Sequence, residues 1–320
     1  MDRFTGKVVA ITGAGSGIGR ALATELSRRG AHLALSDVDE VGLEQTRDRC
    51  GRVGVNVGAD LVDVADRTAV ERWAASVVAE HGRCNIIVNN AGVALGATVE
   101  SMSYEDLDWL MSINFWGVVH GTKAFLPHLK ATGDGHVVNV SSVFGFIGIP
   151  TQSAYNAAKF AVRGFTESLR IELDAERCGV SATCVHPGGI KTNIARSARM
   201  DESVAELRAD TDIGSEFERV ALTTPDRAAR SILHAVERNR RRALIGPDAV
   251  VFDAVAHLPA AVGQRLIGLG ARRLFAATSK SRASGSSGAA TAGASTPAAG
   301  AARAGGGPDA AGRAGRPHGG

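Results

Sequence analysis

Large apolar side chains are missing from residues 278–320, which are almost wholly Ala, Gly, Ser, Thr, Pro and Arg. Such a segment cannot offset the entropy of ordering it, so a disordered tail is expected there. Cysteine is scarce. Cys50, Cys84, Cys178 and Cys184 form no C-x-x-C pair, which argues against a zinc ribbon or a disulfide framework and for reduced thiols in the cytoplasm. The nine histidines follow no ligand spacing, so no metal is expected. No apolar run reaches the roughly 18 residues of a membrane span. Met1-Asp-Arg-Phe-Thr leads directly into an apolar strand, without a leader pattern. Net positive charge is also absent from the body of the chain. Of the formal +3, residues 278–320 carry +4 through Lys280, Arg282, Arg303, Arg313 and Arg316 against Asp309, leaving −1 for the rest. That excludes the basic footprint a nucleic acid requires.

What remains is ordinary in hydrophobicity and long enough to bury a large core. Apolar runs alternate with amphipathic stretches. Val8–Ile11, Ala31–Ser36, Val53–Val57, Cys84–Asn89, His136–Val140, Val180–His186 and Ala243–Ile245 read as strands. Arg20–Arg29, Arg67–Glu80, Glu105–Leu129 and Gln152–Asp174 read as helices, the third a long helical stretch that holds Asn114. Alternation of this kind predicts an α/β fold, a Rossmann-like doubly wound parallel sheet with helices on both faces. Ligands of such sheets bind outside the carboxyl ends of the strands.

The motifs fall at those ends. Between the first strand and the first helix runs Thr12-Gly-Ala-Gly-Ser-Gly-Ile-Gly19. Glycines there allow a tight turn and let backbone N–H groups approach a phosphate at the helix N-terminus. Asp37 ends the second strand, where a carboxylate can accept from an adenosine ribose. Tyr155 and Lys159 are four residues apart, on one face of a helix. An ammonium beside a phenol favours its phenolate, so this tyrosine is expected to exchange a proton near neutral pH. The chain has only two tyrosines. Ser142 lies thirteen residues upstream of Tyr155, at the end of a strand.

Together with Asp63-Val64, Asn89-Asn-Ala-Gly92, Asn114 and Pro187-Gly188 with Thr192, these residues resemble the short-chain dehydrogenase/reductase family over roughly residues 5–250. The resemblance implies an NAD-dependent oxidoreductase that interconverts a secondary alcohol and a ketone. It gives Tyr155 the role of acid/base and Ser142 that of hydrogen-bonding the reacting oxygen. Lys159 would hold the nicotinamide ribose, and Asn114 would position Lys159 through a water. A cofactor would be held by Gly13, Ser16, Gly17, Ile18, Gly19, Asp37, Asp63, Val64, Asn90, Ala91, Gly92, Tyr155, Lys159, Pro187, Gly188, Ile190 and Thr192. Ser142 could instead merely cap a turn, Asn114 be only a polar kink, and Asn89 and Asn90 chiefly lock a strand end. NAD is expected over NADP because Asp37 opposes a 2′-phosphate, while Ser16 and Val38 stand where a basic residue would offset one.

The substrate is expected to meet Ser142, Phe144, Gln152 and Tyr155, with Leu95, Phe146 and Ile147 as further apolar lining. No lysine or arginine lies in 143–152 to grip a charged group, which favours a hydrophobic substrate. The alternatives are a 3-oxoacyl thioester reductase using NADPH and a non-catalytic dinucleotide-binding sensor. The expected organisation is a catalytic domain over 1–250, an amphipathic extension over 251–277 and the tail from 278. Residues 193–222 are polar and are expected to form a flap over the site. Residues 251–277 are expected to pack on the domain or a partner subunit, peripheral membrane contact being the rival reading. The family also pairs its long helices, here near 105–129 and 152–174, across a homodimer or homotetramer.

Overall fold

A computed structural model of the chain describes residues 2–51, 54–192, 194, 197–201, 204, 222–265 and 267–269. From the N-terminus run β1 (Val8–Thr12), α1 (Gly17–Arg28), β2 (His32–Asp37), α2 (Glu40–Cys50), β3 (Val57–Leu61), α3 (Arg67–His81), β4 (Ile86–Asn89) and β5 (Leu95–Gly96). Then follow α4 (Tyr104–Met111), α5 (Gly117–Thr132), β6 (Gly135–Val140), α6 (Ser153–Glu176), β7 (Val180–Pro187), β8 (Arg199–Met200), α7 (Pro225–Glu237), β9 (Arg242–Ile245) and α8 (Pro247–Ala256). The expected tail and residues 205–221 of the expected flap lie outside the described residues.

Seven strands pair in parallel in the order β3-β2-β1-β4-β6-β7-β9. The order reverses between β1 and β4, so the crevice at their carboxyl ends is the switch point where such sheets bind ligands. Strands buried on both faces need apolar residues throughout. Val8–Thr12 and Gly135–Val140 are buried at every position. One face is covered by α1, α2 and α7 through Leu22, Leu26, Leu43, Ile232 and Leu233. The other is covered by α3, α5 and α6 through Val70, Trp73, Phe125, Leu129, Leu169 and Leu173. Trp73 and Phe125 meet edge to face with centroids 5.1 Å apart.

Short-range chemistry sets the helix ends. Asp66 caps α3 by accepting from Thr68 N and Ala69 N at 2.8 and 3.1 Å, and Gly82 ends it at φ +73°. Thr224 caps α7, with Pro225 in its first turn.

Three expected elements differ from those observed. The third strand is Val57–Leu61, not Val53–Val57. At the sheet edge its residues are half-buried or exposed, so an apolar run does not mark it. The stretch from Glu105 to Leu129 is broken by a wide turn over Ser112–Trp116, closed by Gly117 N donating to Ser112 O. And α8 crosses the expected boundary at 250, Asp248 bonding back to Gly189 N at 2.5 Å.

Candidate active site

The glycine turn is shaped by close approach. Gly13 has φ +65°, and a Cβ there would stand 2.7 Å from Ala91 Cα. A Cβ on Gly19 would overlap the Gly13 carbonyl oxygen. Neither position accepts a side chain without moving backbone. α1 begins at Gly17 with no side-chain cap from Ser16 and no acid in its first turn. Its leading N–H groups, Ile18 among them, thus suit an anion. Thr192 reaches over this helix end, its Cγ2 being 3.1 Å from where a Gly17 Cβ would be.

Asp37 closes the turn from the side. Its Oδ2 accepts from Gly15 N at 2.7 Å and its Oδ1 from Val38 N and Asp39 N at 2.8 and 3.0 Å. Arg20 folds inward over the turn. Its guanidinium donates to Gly15 O, Gly42 O and Thr46 Oγ1. Two facing carbonyls and a hydroxyl draw it there. Asn90 Nδ2 donates to Thr12 O and Gly13 O at 3.0 and 3.1 Å, while Thr12 Oγ1 accepts from Asn90 N and Ala91 N at 3.0 and 3.1 Å. Asn89 points the other way, into a buried chain through Thr122, Asn139 and Thr166. Asp63 is exposed and accepts from Ala65 N at 2.9 Å, whereas Val64 is buried and packs where a Gly117 Cβ would stand.

Asn114 sits in the wide turn, wholly buried. It exchanges both amide bonds with Val93: Oδ1 accepts from Val93 N and Nδ2 donates to Val93 O, each at 2.8 Å. This pins Gly92, whose Cβ position lies 3.1 Å from Asn114 Oδ1 and 3.6 Å from Lys159 Nζ. Lys159 Nζ donates to Val140 O at 3.1 Å and lies 5.5 Å from the centroid of the Tyr155 ring. Burial pulls the Lys159 ammonium down to about 8. Burial also pushes the Tyr155 phenol up to about 12, the adjacent Ser142 side chain drawing it partly back. Ser142 follows β6, and its Oγ accepts from Phe144 N at 3.1 Å. Its neighbour Ser141 is turned away, donating to Lys159 O at 2.8 Å.

Phe144 stands edge-on to Tyr155 with centroids 6.0 Å apart. Gln152 bridges to Ala97. Beside them β5 pairs with β8, and Met200 Sδ lies 2.5 Å from the Gly96 Cβ position. β8 is held by Arg199, which bonds Asp106 at 3.1 Å and covers the Trp109 ring at 3.6 Å. Leu95 is buried near Tyr155. Phe146, expected as apolar lining, is buried: its ring packs at a tilt against His186 with centroids 4.2 Å apart, with Arg163 and Arg242 over it. Pro187 ends β7, and the segment beyond it is clamped. Gly188 N donates to Ile245 O at 3.0 Å, Ile190 bridges Thr223, and Asp248 takes Gly189 N. Asp248, His186 and Asn156 have no motif spacing in the sequence and were not singled out from it. A histidine directly before Pro-Gly is the one hint it offers.

A doubly wound sheet with this glycine turn and these side chains at its switch point defines a short-chain dehydrogenase/reductase. The chain belongs to that family: the profile described as short chain dehydrogenase matches residues 7–203. It is 48% identical over 277 residues to SadH of Mycobacterium tuberculosis, a protein named as an oxidoreductase, covering 86% of this chain and 99% of that one. It is 31% identical to human Estradiol 17-beta-dehydrogenase 11, over 78% of this chain and 77% of the relative. Among solved structures, a short chain dehydrogenase/reductase from Burkholderia phymatum in complex with NAD superposes with a TM-score of 0.71. That protein is 31% identical, over 78% of this chain and 92% of its own. The chain is thus an oxidoreductase of a fold that binds a nicotinamide dinucleotide.

Proposed function

We propose that the chain is an NAD-dependent oxidoreductase that interconverts a secondary alcohol and a ketone on a hydrophobic substrate, with Tyr155 as acid/base. One observation carries this: Ser142, Tyr155 and Lys159 converge where Phe144 presents an apolar edge, beside a turn that admits only backbone. The residues fit a dinucleotide. The backbone of Gly13–Gly19 would take the pyrophosphate, Asp37 the adenosine ribose, and Asp63, Val64 and Asn90–Gly92 the adenine side. Pro187, Gly188, Ile190 and Thr192 would take the carboxamide end, with Tyr155 and Lys159 on its ribose. When bound, the dinucleotide supplies the redox chemistry by exchanging a hydride with the substrate carbon.

The protein's own part is proton transfer and orientation. In reduction Tyr155 Oη gives its proton to the carbonyl oxygen, and in oxidation the phenolate removes the hydroxyl proton. Ser142 Oγ hydrogen-bonds that oxygen and fixes its place. Lys159 lends positive charge beside the phenolate as it forms. Asn114, committed to Val93, holds the floor on which Gly92 and Lys159 meet. The half-buried carboxylate of Asp37 supports NAD over NADP, since it opposes a 2′-phosphate, and the guanidinium of Arg20 is engaged by Gly15 O, Gly42 O and Thr46 Oγ1. The apolar edge of Phe144 supports a hydrophobic substrate, as does the relative whose name says that it acts on estradiol.

Exposed Trp116, in the wide turn that leads into α5, and exposed Phe160 and Ile171 on α6 support a homo-oligomer through these two helical stretches. Light scattering tests this, and a strictly monomeric active enzyme would refute it. Among the described residues no helix is long and apolar enough to cross a membrane, and all four cysteines are free. A reducing cytoplasmic setting suits such thiols.

The decisive assay follows reduced-nicotinamide absorbance with NAD+ or NADP+ across a panel of secondary alcohols. Turnover of apolar alcohols with higher kcat/KM for NAD+ is expected. Inertness toward every alcohol and ketone, with reduction of 3-oxoacyl thioesters by NADPH, would replace this reading.

A further inference from the structure

Two buried polar side chains outside the motif set grip the segment that carries Ser142 and Phe144. Asn156, next to Tyr155 on α6, is 7% exposed and spends its whole amide on that segment. Its Nδ2 donates to Phe144 O at 2.8 Å and Ile147 O at 2.6 Å, and its Oδ1 accepts from Ile149 N at 3.0 Å. His186 is wholly buried, and its Nδ1 lies 3.1 Å from Ser142 O. A carbonyl only accepts, so Nδ1 carries the proton and Nε2, which has no partner, does not. The same ring packs at a tilt against Phe146, with centroids 4.2 Å apart. Burial, reinforced by Arg242 and Arg163, holds it neutral, its pKa pushed down to about 4.

The backbone does little to fix this segment. It closes one tight turn, Gly145 N to Ser142 O and Phe146 N to Val143 O, each at 3.0 Å. Beyond that turn the carbonyls of Phe144 and Ile147 and the amide of Ile149 are held by Asn156. A loop so short of its own bonds samples many conformations unless side chains restrain it.

We infer that Asn156 and His186 are positioning residues. They hold Ser142–Ile149 so that the Ser142 hydroxyl and the Phe144 ring face Tyr155, and they thereby set both turnover and substrate choice. This rests on the reading of Tyr155 and Ser142 given above. Asn156→Asp keeps the shape and the Ile149 bond but turns an acceptor toward two carbonyls. It should cut kcat/KM for a bulky apolar alcohol by at least about 30-fold, the cost of a misplacement near an ångström. It should also narrow the preference for bulky over small alcohols, and leave the dinucleotide Kd within about twofold. Its activity should partly recover as pH falls, because the protonated acid regains one donor. For the second residue, His186→Leu should lose kcat, and His186→Gln, which keeps a donor, should restore most of it.

An unchanged kcat/KM and substrate preference in Asn156→Asp would overturn the inference. So would losses matched by equal losses of dinucleotide affinity. If Asn156→Asp does not fold, Asn156→Ser is read in the same assay, and failure of both to fold makes the residue structural only and overturns it too. A wild type inert toward every alcohol and ketone sinks the underlying reading, and this inference with it. An active wild type beside unaffected variants sinks this inference alone.

Discussion

The glycine cradle and the substrate wall lie at the carboxyl ends of the same parallel strands, but they are built by different means. The cradle is backbone against backbone. Gly13 faces Ala91 and Gly19 faces the Gly13 carbonyl with no room for a methyl group, and the carboxylate of Asp37 takes three N–H groups. The wall is side chain against backbone. The amide of Asn156, the ring of His186 and the Arg199 contact with Trp109 hold Phe144 and Met200 in place. A backbone cradle tolerates almost no substitution and serves one invariant ligand. A wall of side chains can be rebuilt residue by residue, and that suits it to setting which substrate enters.

The largest expected effect breaks neither region but the joint between them. Tyr155→Phe keeps the ring against Phe144 and removes the exchangeable proton. kcat should fall by about 10³-fold, within the usual range for a lost general acid, while dinucleotide affinity stays unchanged in a fluorescence titration. Near wild-type kcat would show that another group moves the proton.

The comparison itself is tested by one substitution on each side. Gly19→Val drives a branched side chain into the Gly13 carbonyl, so dinucleotide Kd should rise at least about 100-fold, with a lower Tm. Phe144→Ala removes one apolar edge from the wall and should raise substrate KM by about 10-fold, with kcat and dinucleotide Kd little changed. The reverse pattern, a tolerant cradle and an intolerant wall, would refute the distinction.

Legibility in the sequence follows the same division. Steric exclusion forces glycine, so the cradle is visible as spaced glycines before a helix. Helical geometry puts Tyr155 and Lys159 on one face, so their spacing is visible too. The order of strands and helices is legible because central strands are buried on both faces. Edge strand β3 carries Gly58 at a half-buried position and Asp60 at an exposed one, and the apolar run Val53–Val57, four residues earlier, mimics it. The break at Ser112–Trp116 is invisible because Leu107, Leu110, Val118 and Phe125 keep a helical rhythm across it. Only the contact of Asn114 with Val93, 21 residues away, marks it. Phe146 shows why hydrophobicity alone does not assign a pocket: its partner is His186, 40 residues on.

A smaller effect concerns the edge of the cradle. Asp37→Ala removes the repulsion of a 2′-phosphate together with bonds to the turn. The ratio of kcat/KM for NAD to that for NADP should fall by about 10-fold, mostly by a loss with NAD. A wild-type ratio at or below one would itself refute the NAD preference.

The smallest expected effect separates the two regions by pH. Two buried histidines lie in adjacent strands: His136 at the amino end of β6, bonded to Thr183, and His186 near the carboxyl end of β7, against Ser142 O. Burial first, and nearby arginines second, push His136 down to about 3 and His186 down to about 4. In the unfolded chain a histidine titrates near 6.5, so between that value and about 4 the unfolded state binds more protons than the native one. Their contribution is therefore fully present above about 6.5 and is lost as pH falls toward 4, at up to about 2.7 kcal/mol per pH unit where both protonate. Lys159, lowered to about 8 from 10.5, acts on the other side: stability gains from it as pH rises through that interval. Tm by circular dichroism should thus fall by several degrees per unit below pH 6.5. Amide exchange should accelerate first around Ser142–Ile149 rather than in the glycine turn. A Tm that stays level between pH 6.5 and 5, or loosening that begins in the cradle, would show that the wall does not depend on a neutral His186.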